Sequence, residues 1–299
     1  MNINYPQPIP SMKITKFLCA LGVLTLGFGV GAADIVSVQR AASEGSVSAQ
    51  YELGGIYAFG EGVPIDNEKA AMWYRSGAEQ GHSGSQYNLG VMYEKGLGVP
   101  QDYRQAIAWY RKAGVQGDLG AQFNLGGIFS NGLGVPQDFA QALFWYRKAA
   151  ESGFPRAQSN LGLMYENGQG VAQDSKQAIF WYRKATAQGD AGALFNLGVM
   201  YANGRGVPQD FRQALALYRA AAEQGQPWAQ ANLGHMYATG TGLPRDDVQG
   251  YAWSTVAAAS NIPLATKNRD LIAARLTAAQ IEVGQRLAAQ YFEKYRQSH

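Results

Sequence analysis

Apolar positions along this chain follow a helical rhythm that restarts every 36 residues. In the stretch beginning at Ser85, Leu89, Met92 and Tyr93 fall at i, i+3 and i+4, the apolar stripe of an amphipathic helix. Gly96 predicts the end of that helix, because glycine takes the left-handed C-terminal conformation at little cost. Gly98-Val99-Pro100 predicts a turn with Val99 as a buried plug. Asp102 reads as an N-cap, and Gln105 three residues later completes a capping-box pattern. Ala106, Trp109, Tyr110 and Ala113 then form a second apolar stripe, which Gly117 closes. The pattern thus predicts two helices per unit. Gly90 and Ala106 let their backbones approach, with Trp109 and Tyr110 filling the space beside them.

The unit recurs in strict register. Leu53-Gly54 returns as Leu89-Gly90, Leu125-Gly126, Leu161-Gly162, Leu197-Gly198 and Leu233-Gly234. An aspartate follows each time, at Asp66, Asp102, Asp138, Asp174, Asp210 and Asp246. A periodicity of this length marks a solenoid, in which each unit buries its core against its neighbours. The expected fold is all-α: a right-handed α-solenoid of six helix-turn-helix repeats with helical caps. The expected repeats are 49–84, 85–120, 121–156, 157–192, 193–228 and 229–264. A capping half-repeat over 34–48 is expected because Ala41-Ala42-Ser43-Glu44-Gly45 matches Ala149-Ala150-Glu151-Ser152-Gly153 in frame. The sixth unit drifts, with Ser254 in place of tyrosine and Asn261 in place of glycine. A C-terminal helical cap is expected over 265–299, its last helix opened by a Thr277/Gln280 capping box.

Composition changes this picture little. The 37 glycines point to many tight turns, and a net charge of +3 gives no reason to expect a nucleic-acid partner. Residues 1–33 read as a secretory signal peptide: Lys13 and Lys16, an apolar run from Phe17 to Val30, and the small residues Gly31-Ala32-Ala33. The run is short for a membrane span, so cleavage and a periplasmic or secreted protein are expected, with membrane contact only through an uncleaved signal. The single cysteine, Cys19, falls inside this leader, which leaves the expected mature chain without disulfides.

The recurring pattern A-x-x-x-L-G-x-x-Y-x-x-G-x-G-V-P-x-D-x-x-x-A-x-x-W-Y-x-x-A-A-x-x-G, shown nearly complete by Ala121 to Gly153, resembles the Sel-one-like repeat, a relative of the tetratricopeptide repeat. The resemblance runs over residues 49–264. It implies an exported adaptor that binds other proteins or peptides of the bacterial cell envelope, without cofactor. Cysteine-rich members are described as penicillin-binding or weakly β-lactam-hydrolysing, which makes a hydrolase acting on peptidoglycan or β-lactams the alternative. The missing cysteines weaken that alternative.

The search for chemistry points away from catalysis. His82, His235 and His299 lie in the first repeat, the sixth repeat and the last position, too far apart in a solenoid for a metal site or dyad, and read as surface residues. No serine precedes a lysine by three, so the S-x-x-K nucleophile motif is missing. The Gly-x-Gly elements lie between helices and read as turns. The Trp-Tyr pairs read as core, and Arg111-Lys112, Arg147-Lys148 and Arg183-Lys184 as a solvated basic edge.

One ladder suits binding. Asn88, Asn124, Asn160, Asn196 and Asn232 stand just before the leucine of each first helix, with Glu52 at that place in the first repeat. Tyr87, Phe123 and Phe195 stand beside them, as does Tyr51, on the side of the helix expected to line a concave surface. Asparagine offers two donors and an acceptor, which suits the backbone of an extended peptide. The competing reading is that the asparagines bridge neighbouring helices. The matching helix position in tetratricopeptide domains holds peptide backbone or carboxylate, so the resemblance points to binding.

Overall fold

The structure, a computed structural model, describes residues 32–296. Among the described residues there are fifteen α-helices and no strand. They form two compact units, one ending at Asp118 and the other beginning at Leu119. The first holds α1 (Ala32–Ser43), α2 (Val47–Phe59), α3 (Asn67–Glu79), α4 (Ser83–Lys95) and α5 (Tyr103–Val115). The second holds α6 (Leu119–Asn131), α7 (Phe139–Glu151), α8 (Pro155–Asn167), α9 (Ser175–Thr186), α10 (Ala191–Asn203), α11 (Phe211–Glu223), α12 (Pro227–Thr239), α13 (Asp247–Ala258), α14 (Pro263–Ala273) and α15 (Ala278–Arg296). Within each unit every helix through α14 packs against its predecessor, so pairs stack on pairs, as an α-solenoid requires. The leader lies outside the described residues except for Ala32 and Ala33, where α1 begins.

Helices of this length are marginal alone, so packing must hold them. Each first helix supplies a leucine that is fully or almost fully buried (Leu53, Leu89, Leu125, Leu161, Leu197, Leu233) and, one turn on, Ile56, Met92, Ile128, Met164, Met200 or Met236. Complete burial of one such side chain stabilises by roughly 1.5–3 kcal/mol. The glycine after the leucine has a more particular task than a close backbone approach. A Cβ built on Gly90 would stand 2.6 Å from the Tyr110 ring, and one on Gly162 would stand 2.7 Å from Tyr182. The aromatic ring of the second helix lies directly on the bare backbone of the first.

All six repeat aspartates cap their second helices. Asp102 Oδ1 accepts the N–H groups of Arg104 and Gln105 at 2.8 and 3.1 Å. The capping box forms only by half, because the Asp102 N–H donates to the Tyr93 carbonyl at 2.9 Å and so fastens the cap to the first helix. Gly96 and Gly98 have φ of +69° and +65°. A Cβ on Gly98 would also collide with the backbone at Asn67 and Glu68, because this turn rests on the start of α3. Asn261, in place of a repeat glycine, keeps φ at +58°, a conformation asparagine tolerates.

At the C-terminal end α14 packs on α12 and α13 as a further first helix would, and α15 returns onto α13. Trp253 stacks on Tyr291 at 4.3 Å, and Gly284 of α15 lies against the Tyr251 ring. The Thr277/Gln280 box forms in both directions: the Thr277 N–H donates to Gln280 Oε1 at 2.9 Å and the Gln280 N–H to Thr277 Oγ1 at 3.3 Å.

Candidate functional site

The five asparagines all fall on first helices and are half-buried: Asn88 on α4, Asn124 on α6, Asn160 on α8, Asn196 on α10 and Asn232 on α12. Two of them meet the core tyrosine of the preceding second helix. Asn160 hydrogen-bonds the Tyr146 hydroxyl and Asn196 that of Tyr182. Burial pushes the Tyr146 phenol up to about 12, against the opposing pull of Asn160 and Arg156. Tyr182 is also raised well above the ordinary phenol value, by burial first and then by Glu166.

Glu166 was not among the residues singled out from sequence. The Tyr182 hydroxyl donates to Glu166 Oε2 at 2.7 Å, and Arg205 Nη1 lies 3.1 Å from Glu166 Oε1. A chain of polar groups therefore runs across α10, α9 and α8. The same pair occurs in the first unit, where the Tyr110 hydroxyl donates to Glu94 Oε2 at 2.6 Å. A glutamate sixteen residues before the tyrosine was the available signal.

The aromatics beside the ladder are less free than the helical wheel implies. Each leans on the core tyrosine of its own repeat: Tyr87 on Tyr110 at 5.8 Å, Phe123 on Tyr146 at 5.7 Å, Phe195 on Tyr218 at 5.9 Å. Phe195 is 5% exposed and belongs to the core of the second unit. Phe123 is half-buried, edge-on to Phe154 at 5.4 Å, with the Arg156 guanidinium 4.7 Å from its ring centroid. Tyr51 similarly meets His82 at 4.7 Å.

Two other expectations change. His82 is a cap and not a plain surface residue: its Nδ1 accepts the Ser85 N–H at 3.1 Å at the start of α4. Burial pushes both His82 and His235 down. His299 lies outside the described residues. Two arginines of the basic edge are straps: Arg147 Nη2 donates to Tyr165 Oη and Arg183 Nη2 to Tyr201 Oη, both at 3.0 Å. Arg75 and Arg219 do the same with Tyr93 and Tyr237. Trp145 and Trp181 are buried, as expected of core, whereas Trp73 and Trp109 are half-buried.

A second ladder escaped the sequence reading. Gln86 Nε2 donates to the buried Ala78 carbonyl at 3.1 Å, and Gln50, Gln158 and Gln230 bond Ala42, Ala150 and Ala222 likewise. It recurs at the same spacing as the asparagines but is buried, which fits joining repeats and not meeting a ligand.

Among the described residues no group of three or more His, Cys, Asp or Glu is placed to hold a metal ion, and no helix is long and apolar enough to cross a membrane.

The family model described as Sel1 repeat matches residues 47–82, 83–118, 120–154, 155–190, 191–226 and 229–261. The crystal structure of c5321, a protective antigen present in uropathogenic Escherichia coli strains displaying an SLR fold, is similar at 36% identity and a TM-score of 0.60. The match covers 88% of this chain and 64% of that one, so the chain spans less than two thirds of that antigen. A Sel1 repeat protein from Oxalobacter formigenes is similar at 32% identity and a TM-score of 0.67, over 76% of this chain and 97% of that one. No curated protein matches the sequence.

Proposed function

Since the chain belongs to the Sel1-repeat family, a fold that typically mediates protein–protein interaction, we propose that it is a non-catalytic scaffold holding extended segments of other proteins along its first helices. The observation that carries this reading is the half-buried asparagine at one place in five first helices. In the second unit, the bonds to Tyr146 and Tyr182 fix two of these side chains in orientation. An amide held by one hydrogen bond still has capacity for another, and each such bond contributes about 1 kcal/mol net. Phe123, under the Arg156 guanidinium, adds a half-covered apolar edge beside this row. In the first unit Tyr87, leaning on Tyr110, stands beside the half-buried Asn88. Phe195 sits in the core and contributes support only.

The proposed place of work is the bacterial cell envelope, in the periplasm or outside. The support is the leader pattern from Lys13 to Ala33, and the E. coli structure, itself that of a protective antigen, is in keeping with it.

A photo-crosslinking amino acid at position 123 tests the reading in the native envelope, with the same group at position 140 on the outside of α7 as control. A discrete protein adduct from 123 and none from 140 is expected. Asn124→Ala with Asn160→Ala should then weaken affinity for that protein, with melting lowered only by the bonds those two side chains lose, that of Asn160 to Tyr146 among them. A large fall in melting with affinity intact would make the ladder structural only. Turnover of nitrocefin by the purified chain would overturn the non-catalytic reading.

A further inference from the structure

The second helices α7 and α9 carry a surface that the first-helix ladder does not use. Phe144 is 49% and Phe180 is 47% exposed, at equivalent places in successive repeats. The fold does not require a ring there, since Ala108 and Ala216 fill that place in other repeats. Each ring has a lysine one turn on: Lys148 Nζ lies 5.3 Å from the Phe144 centroid and Lys184 Nζ 4.7 Å from that of Phe180. Lys176, one turn before Phe180, and Arg183 are exposed too. Helix α9 contains no acid. Asp138 and Asp174, which cap the helix starts, and Glu151 at the end of α7 are exposed carboxylates at the helix ends, set against the exposed cations Lys148, Lys176, Arg183 and Lys184.

We propose that Phe144, Lys148, Phe180 and Lys184 form a face that rests on an anionic lipid bilayer. The pairing of chemistries selects this occupant. A soluble polyanion would gain from the cations alone and nothing from half-exposed rings. At a bilayer surface the rings enter the zone between headgroups and acyl chains, while the ammonium groups beside them reach up to lipid phosphates. Each lysine near such a surface strengthens binding about fivefold at low ionic strength. The contact is separate from the partner-binding reading: it uses second helices, and it stands if the asparagine ladder proves structural.

Sedimentation of the full chain with vesicles tests it, using phosphatidylcholine alone and phosphatidylcholine mixed with phosphatidylglycerol. Neutral vesicles report what the rings and the apolar run 17–30 contribute without lipid charge. Stronger binding to the anionic vesicles is expected. Lys148→Gln with Lys184→Gln should weaken that excess by about thirtyfold. Phe144→Ala with Phe180→Ala, which installs the residue other repeats carry, should weaken binding to the anionic vesicles by about tenfold. Unchanged melting of both variants shows that the fold is kept. Equal binding to the two vesicle types overturns the proposal. So does an anionic-vesicle affinity that survives the phenylalanine changes, or is abolished by soluble polyglutamate at matched charge, since either result describes a plain polyanion site.

Discussion

The Tyr146 ring lies so close over Gly126 that a Cβ added to the glycine would stand 2.5 Å from a ring carbon. One residue further along α6, a Cβ on Gly127 would meet only the Tyr146 hydroxyl oxygen, at 3.6 Å. Two adjacent helical glycines therefore respond in opposite ways to the same methyl group. Gly126→Ala must push the ring or the helix aside and should destabilise by about 1–3 kcal/mol. Gly127→Ala meets ordinary contact, gains helix propensity and should stabilise by up to about 1 kcal/mol. Thermal unfolding of the two variants checks this; equal effects of one sign would show that the ring is not the constraint.

The turn glycines also separate. Gly96 has open surroundings at ordinary contact distance, with 3.4 Å to Gln101, so Gly96→Val meets only the cost of positive φ, on the order of 1 kcal/mol or more. Gly98→Val adds a collision with the backbone of α3 and should cost clearly more. Hydrogen exchange in Gly98→Val should rise across α3, α4 and α5, because the displaced turn rests on the repeat before it. Exchange that rose only in α4 and α5 would contradict that contact.

The repeats, both helices of each pair, the aspartate caps and the positive-φ turns were legible in the sequence because each depends on residues within one unit. Bonds from one repeat to the next were not. Arg183 reaches Tyr201 eighteen residues on, and Gln188 Nε2 reaches the Gly153 carbonyl thirty-five residues back. Those reaches are set by how pairs stack, which a helical wheel does not contain. The wheel also treats polar residues as exposed, so the buried glutamines looked the same as the half-exposed asparagines beside them. Phe195 was placed on a surface because its offset from Leu197 puts it off the core stripe. In the fold that angle turns it onto Tyr218 and not out to solvent.

His82 makes the first unit sensitive to acid. Its neutral Nδ1 accepts the Ser85 N–H and lies 3.0 Å from Ser85 Oγ, with Tyr51 against the ring. Protonation turns that acceptor into a donor and places a positive charge at the positive end of α4. Burial already holds its pKa below 6.5, so the folded chain takes up this proton less readily than the unfolded one. The contribution is therefore complete above about pH 6.5 and is lost as pH falls from there through the folded value. Melting should drop as pH falls below about 6.5, and His82→Asn, which caps without titrating, should drop less. His235 is depressed by burial as well and contributes to both proteins, so the difference between them isolates His82. Identical pH profiles would refute the role.

The glutamine ladder is incomplete in the third repeat. Gln80, Gln116 and Gln188 each donate to the side-chain oxygen of a buried glutamine thirty residues earlier, at 2.8, 2.7 and 2.9 Å. In the third repeat Ser152 stands where that donor belongs, opposite Gln122, and a hydroxymethyl group does not span the gap. Ser152 is exposed, just beyond the end of α7, so a longer side chain meets no obstacle from burial. Ser152→Gln should complete the cross-link and stabilise the second unit by about 0.5–1.5 kcal/mol, less the rotamer freedom the new side chain gives up. The control is the converse change. Gln188→Ser removes the donor from Gln158 and from the Gly153 carbonyl, leaves the Gln158 bond to Ala150 in place, and should destabilise by at least as much. Denaturant unfolding of the two variants, read at unchanged slope, gives both numbers. Opposite signs support a ladder that ties the two helices of a repeat together. A neutral Ser152→Gln beside a costly Gln188→Ser would mean that water already serves the third repeat.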